Sequence, residues 1–312
     1  MTLDTNKRNA TLGRLALISM TLIWGASFVV MKNVLEEVPT LYLLAFRFSG
    51  AAILMLLIGL KDIKKLDKNY IIKGTVMGVY LFVAYALQTF GLSMTTPGKN
   101  AFLTTTYCVI VPFLYWAITK KRPDKYNIMA ALICVVGVGF VSLQSTVDAI
   151  NVGDLLTLCS GLFFAFHIVA TGKSIQGRSV VMLTMVQFAV AGILSWIFAL
   201  FSAPVPRNIS TDMIWSILFL TVMCTAVCFV LQTFGQKYTH PSTAAVIMTL
   251  ESVFGTIISV IFYHEELNAK LVIGFILIFA AVLISETKLD FIRRLKGKKN
   301  KCPAVARAAD ES

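Results

Sequence analysis

Leu87-Gln88-Thr89-Phe90-Gly91 recurs as Leu231-Gln232-Thr233-Phe234-Gly235, an offset of 144 residues. The register continues without a gap: Thr95 matches Thr239, Pro97 matches Pro241, Ala101 matches Ala245, Thr105 matches Thr249 and Val109 matches Val253. Earlier in each copy, the run from Arg47 to Leu54 aligns with Gln187 to Leu194 at an offset of 140, so a short loop indel separates the two registers. Chance does not keep so many matches in order. The chain is read as a duplication.

What is duplicated follows from composition. Of 312 residues, 57% are apolar and 14% charged, with mean hydropathy +0.78, against about 45–50% and about 25% in soluble domains. So few charges cannot coat a water-soluble core of this size, which excludes a soluble enzyme and a disordered chain. A membrane-spanning helix needs about 20 mostly apolar residues at about 1.5 Å each. Ten segments qualify, near Leu15 to Val34, Thr40 to Leu60, Ile71 to Gly91, Gly98 to Thr119, Tyr126 to Leu143, Asp154 to Thr171, Val180 to Phe201, Met213 to Gln236, Pro241 to Tyr263 and Leu271 to Glu286. The expected fold is therefore all-α, ten transmembrane helices in two five-helix repeats, residues 15–143 and 154–286. An odd number of spans per repeat makes the second copy enter from the opposite face, so the repeats are expected to be inverted. Residues 1–14 and the basic tail 287–312 flank them, and the first apolar run is longer than a signal peptide's and lacks a clear cleavage site, so it reads as a retained span.

The basic residues fix the expected orientation. Of the 28 lysines and arginines, 23 fall on the side that holds both termini, four on the other side, and Arg47 lies inside a span. Both termini are expected to be cytoplasmic. The net charge of +12 then points to anionic lipid headgroups at that face and not to nucleic acid, since the basic tail follows a span and has few aromatics.

Candidate function lies in polar groups that lipid would not tolerate. At helical spacing, Tyr80, Ala84, Gln88 and Gly91 share one face, matched by Cys224, Cys228, Gln232 and Gly235. Asn100, Thr104, Tyr107 and Val111 share another, matched by Ala244, Met248, Glu251 and Gly255. Both faces are expected to line a central cavity, although Gln88 and Gln232 serve equally well as hydrogen-bonding glue between helices. Glu251 stands ten residues from Pro241, about 15 Å deep and near the midplane. It is a candidate for proton coupling, for binding a substrate ammonium, or for a structural hydrogen bond. Arg47 reads as a clamp between helices, as a bidentate site for a substrate carboxylate, or as a partner for Glu251, and its repeat equivalent is the neutral Gln187. His167 is a second proton-coupling candidate, with a neutral, hydrogen-bonded core histidine as the plainer reading. Trp24 either stacks on a ligand or packs beside Gly25. His264-Glu265-Glu266 lacks the second histidine of a zinc-protease helix and reads as an exposed cap and loop anchor.

The six cysteines form no disulfide pattern, and Cys224 and Cys228, one turn apart, read as packing residues without a second metal-ligand pair. There is no HExxH, GxSxG or phosphate-binding glycine loop. No enzyme, metal or cofactor is expected.

Trp24-Gly25-Ala26-Ser27-Phe28, Pro39 followed by Arg47, the Thr95-x-Pro97 and Thr239-x-Pro241 pairs, Leu250-Glu251-Ser252-Val253, Glu265-x-Leu267 and Gly274 together resemble the EamA family of the drug/metabolite transporter superfamily. The resemblance spans residues 15 to 286. It departs at Ser252, where the family commonly has proline and a local kink. It implies a carrier of the bacterial cytoplasmic membrane, often exporting amino acids or related small metabolites through a cavity between the halves. The expected function is thus secondary transport of a small molecule by alternating access, with proton coupling as a candidate drive. A gradient-driven facilitator or channel is the alternative, and a membrane sensor or intramembrane enzyme a more distant one.

Overall fold

A computed structural model describes residues 3–120, 122–142, 151–174, 178–207, 209–238 and 247–287. The described elements are helical: α1 (Leu3–Val34), α2 (Thr40–Gly59) with a 3-10 extension (Leu60–Lys65), α3 (Lys68–Met94), α4 (Pro97–Thr105), α5 (Tyr107–Thr119), α6 (Lys125–Ser142), α7 (Val152–Ser174), α8 (Val180–Ser202), α9 (Thr211–Thr221), a π-helical turn (Val222–Val227), α10 (Cys228–Tyr238), α11 (Leu250–Phe262) and α12 (Ala269–Thr287). Among the described residues, six stretches are long and apolar enough to cross a membrane, and three shorter apolar helices accompany them. The six differ from the ten expected spans for local reasons. The Gly98 to Thr119 segment is broken at Thr106 into α4 and α5, and the start of the Pro241 to Tyr263 segment falls outside the described residues. Tyr126 to Leu143 and Leu271 to Glu286 correspond to shorter helices.

The helix ends follow from their residues. Asp67 caps α3 by accepting from Tyr70 N at 2.8 Å. Thr96 caps α4, with Pro97 in the first turn where its missing N–H costs nothing. At the other end of α3, Lys32 Nζ donates to the carbonyls of Leu92, Ser93 and Thr95 at 2.8, 3.0 and 2.9 Å. A cation there satisfies acceptors that have no intrahelical partner and opposes the negative end of the dipole.

Packing reproduces the duplication. α3 packs on α7, and their counterparts α10 and α1 pack on each other; α1 packs on α11, as α7 packs on α4 and α5. The self-paired contacts α2–α8 and α6–α12 lie between equivalent elements of the two halves, and α4 packs on α11, the counterpart of α5. Even single contacts repeat. A Cβ added at Gly91 would stand 2.3 Å from Thr157 Oγ1 and 2.7 Å from Gly153 O, and one at Gly235 would stand 2.4 Å from Leu17 Cγ and 2.9 Å from Gly13 O. Gly13 and Gly153, like Leu17 and Thr157, are related by the offset of 140. Such glycines let helix backbones approach closely, which is how helices gain packing energy where lipid supplies no hydrophobic drive.

The outward faces carry large apolar side chains, Val135, Phe201 and Phe262 among them. The largest interior cluster, with Tyr42, Phe48, Tyr85 and Phe188, is contributed by both halves. It surrounds the cavity described next.

Candidate functional site

The cavity lies where α1, α2, α3, α4, α5, α7, α10 and α11 converge, and most of its walls are equivalent positions of the two halves. Trp24 faces Phe164, Ser27 is matched by His167, Tyr85 by Phe229, Gln88 by Gln232, Thr104 by Met248 and Tyr107 by Glu251. Matched residues of both halves thus contribute to one wall. Its volume is about 60 Å³, room for a few water molecules at about 10–15 Å³ each and too little for a metabolite. The cavity is therefore narrow around its polar groups in this conformation.

Two helix breaks position the pair Tyr107 and Glu251. The first falls at Thr106, where Val109 N donates to Thr106 O at 3.0 Å; the second falls at Thr249, where Ser252 N donates to Thr249 O at 3.2 Å. The breaks occupy almost the same place in each repeat, and each puts its residue in the first turn of the following helix. Ser252, standing where the family commonly has proline, does not prevent the break: its Oγ donates to Thr249 O at 2.8 Å. Glu251 has no hydrogen-bond or ion-pair partner among the described residues, and its side chain is one of the cavity walls. A carboxyl at a cavity wall with no partner among the described residues is open to a proton, a cation or a donor on a ligand.

Arg47 is 1% exposed and each of its three guanidinium nitrogens has a contact. Nε donates to Thr225 Oγ1, Nη1 contacts Met31 Sδ at 3.1 Å, Nη2 reaches Cys224 O at 3.5 Å, and the group lies 4.9 Å from the centre of the Tyr85 ring. Arg47 and Glu251 share the cavity without forming a salt bridge. The π-helical turn explains the contacts to Thr225 and Cys224. Thr225 Oγ1 donates back to Leu220 O at 2.9 Å, and Cys224 O accepts from Trp24 Nε1 at 2.7 Å. Such turns widen the helix and expose backbone acceptors, often at functional sites. The arginine thereby ties α2, α1 and α3 to the α9–α10 segment.

The remaining expected site residues divide. Gln88 Nε2 donates to Thr104 Oγ1 at 3.1 Å on the wall, and Gln232 also lines it. His167 lines the cavity with Nε2 2.8 Å from Gln187 Oε1. Gln187 itself stands behind that wall. Tyr80 is off the cavity too, stacked on Phe166 at 5.4 Å. The lining face of α3 runs through Leu81, Tyr85 and Gln88, rotated from the face through Tyr80 and Ala84 that the sequence pointed to. Tyr85 and Phe229 were missed, although both are aromatic and each stands three residues before its matched glutamine. Cys224 and Cys228 pack on α1, their thiols 3.8 Å from Ile23 O and Met20 O.

Glu265 corrects the expectation of an exposed cap. It is 8% exposed and its carboxylate accepts from Gly98 N at 2.9 Å, from Thr96 Oγ1 and from Ser259 Oγ. A carboxylate on the first turn of α4 satisfies orphan N–H groups and the positive end of the helix dipole. Beside it, Lys99 Nζ lies 3.7 Å from Asp154 Oδ2, and Asp154 Oδ1 accepts from Thr95 Oγ1 at 2.6 Å. The two halves are thus latched at one end of the bundle. Glu265→Gln should weaken the latch by about 1–2 kcal/mol, because a neutral amide loses the charge-assisted bonds and offers one acceptor where the carboxylate offers two. A thermal-unfolding series in detergent checks this, and an unchanged midpoint contradicts it.

Known proteins share this architecture. The EamA-like transporter family matches residues 11–143 and 151–287, one copy in each half. A protein of Archaeoglobus fulgidus named an uncharacterized transporter is 34% identical over 270 residues, covering 86% of this chain and 84% of its own. The uncharacterized transporter YoaV of Bacillus subtilis is 22% identical over 282 residues, 87% of this chain and 95% of its own. The biotin transporter of Salmonella typhimurium is 21% identical over 257 residues, 80% of this chain and 85% of its own. A solved crystal structure superposes with a TM-score of 0.66 at 15% identity, covering 91% of this chain and 98% of that one, a likeness of fold. With two matching copies over most of its length and several apolar helices of spanning length, the chain is a multi-pass membrane protein of the EamA-like transporter family.

Proposed function

We propose that this protein is a secondary carrier of the bacterial cytoplasmic membrane, exporting a small polar or amphipathic metabolite, such as an amino acid or related compound, by alternating access. Ten spans with both termini cytoplasmic are part of this reading, as is an inverted relation of the five-helix halves. The observation that carries it is the cavity itself. It is lined by matched residues of both halves and flanked by two helix breaks, and the halves are latched at the end that this orientation makes external. Inverted halves can exchange conformations, and a site on their axis then opens to each side in turn.

The wall chemistry supports the cargo class. Aromatic rings from Trp24, Tyr85, Phe164 and Phe229 surround a few polar groups, a pattern suited to an amphipathic ligand that the polar groups orient. Arg47 is assigned to the clamp, since each of its three guanidinium nitrogens contacts a neighbouring helical segment. Glu251 is assigned to proton coupling, with His167, held by Gln187, as the second group able to take part. A relative named as a biotin transporter agrees with a small-molecule cargo.

Counterflow tests the carrier reading. Proteoliposomes loaded with unlabelled amino acids should take up labelled amino acid faster than empty ones, saturably and with competition, because a loaded carrier returns faster than an empty one. Flux that rises linearly with concentration and ignores the internal load identifies a channel and overturns the carrier.

A further inference from the structure

A second cavity lies outside the transport site. It is a groove of about 440 Å³ between α5 and α6 with Leu158 of α7 at its back, a size within the range of about 300–1,000 Å³ typical of small-ligand sites. It opens toward the outer surface of the bundle, where its rim residue Val135 is 71% exposed. Its lining offers a ligand almost nothing polar: the one hydroxyl, Thr106 Oγ1, already donates to Leu103 O at 2.6 Å. In a membrane-spanning bundle such a groove faces acyl chains.

The charges say which lipid. The loop joining α5 to α6, the two helices that wall the groove, carries exposed Lys120, Arg122 and Lys125. Phe113 stands seven residues and Thr106 fourteen residues from Lys120, about 10 and 21 Å along the helix. The groove therefore runs from the deeper part of that leaflet to just past the middle of a hydrocarbon core about 30 Å thick. Basic side chains at the membrane surface directly below an acyl-sized groove form a two-part site, headgroup and chain.

We propose that the α5–α6 groove binds an acyl chain of an anionic phospholipid whose headgroup sits on Lys120, Arg122 and Lys125. The chain's end reaches Thr106, at the break before Tyr107, so an occupied groove wedges the hinge whose other side lines the transport cavity. The proposal requires only that the chain lie in a bilayer and stands whether or not the protein is a carrier.

Native mass spectrometry of the full chain in detergent, titrated with phosphatidylglycerol or with phosphatidylcholine of the same acyl chains, tests it. Wild type should retain one phosphatidylglycerol with a preference of about thirtyfold, the scale of two to three basic contacts. The double variant Arg122→Gln, Lys125→Gln should cut the preference to about fivefold, the scale of the one contact left at Lys120. Ala131→Phe, which fills the groove, should lose the retained lipid, and Leu158→Phe, from a different helix, repeats the test should the first variant fold poorly. Equal retention of the two lipids by wild type, or retention unchanged in the folded groove-filling variant, overturns the proposal.

Discussion

Replacing Arg47 by Ala is expected to abolish transport and to cost about 2–4 kcal/mol of folding stability. Two effects oppose each other. Removing a buried cation without an ion-pair partner relieves a desolvation cost, which favours the variant. Against that, truncation empties the space of the largest fully buried side chain among the described residues and strips donors from Thr225 Oγ1 and Cys224 O. The loss wins, because the guanidinium borders a cavity with room for water and faces Glu251, so little desolvation is recovered. Arg47→Met separates charge from bulk. Its side chain can still pack near Met31 and Tyr85, so most stability should remain while transport falls; unfolding midpoints and flux measured on both variants check this. Full transport by the Met variant would show that the positive charge serves nothing beyond packing.

Glu251→Gln is expected to remove gradient-driven accumulation by about two orders of magnitude, the scale for loss of a positioned proton-transferring side chain. Glutamine keeps the shape and cannot cycle a proton. Exchange of substrate down its own gradient should survive within a few-fold, since the cavity walls are otherwise intact. The pH dependence of wild-type flux should flatten in the variant. A structural role predicts a different result: loss of stability together with every mode of flux.

Much of this was legible in the sequence because duplication and hydropathy are properties of the chain itself. The repeated Leu-Gln-Thr-Phe-Gly placed Gln88 and Gln232 on matched helices, and the polar faces of the following segments placed Thr104, Tyr107 and Glu251 beside them. Composition could not show where a helix stops being regular. The breaks at Thr106 and Thr249 and the π turn at Val222–Val227 are tertiary compromises. On the regular α3 the ambiguity is one of spacing: Gln88 fits both the face through Tyr80 and Ala84 and the face through Leu81 and Tyr85, and packing selects the second. Gln187 took its place in the expectation as the equivalent of Arg47, yet its shorter side chain is engaged by His167 behind the cavity. Glu265 looked exposed because it follows a helix in a polar loop. Its burial depends on Gly98, where an added Cβ would come 2.6 Å from Glu265 Oε2.

The most direct test of a proton-coupled carrier acting through Glu251 is flux of a labelled amino-acid pool across proteoliposomes, with and without an imposed proton gradient, in wild type and Glu251→Gln. The account predicts uphill accumulation that requires the gradient in wild type and is lost in the variant, with downhill exchange retained in both. Flux that ignores the gradient in wild type and persists unchanged in Glu251→Gln would contradict it.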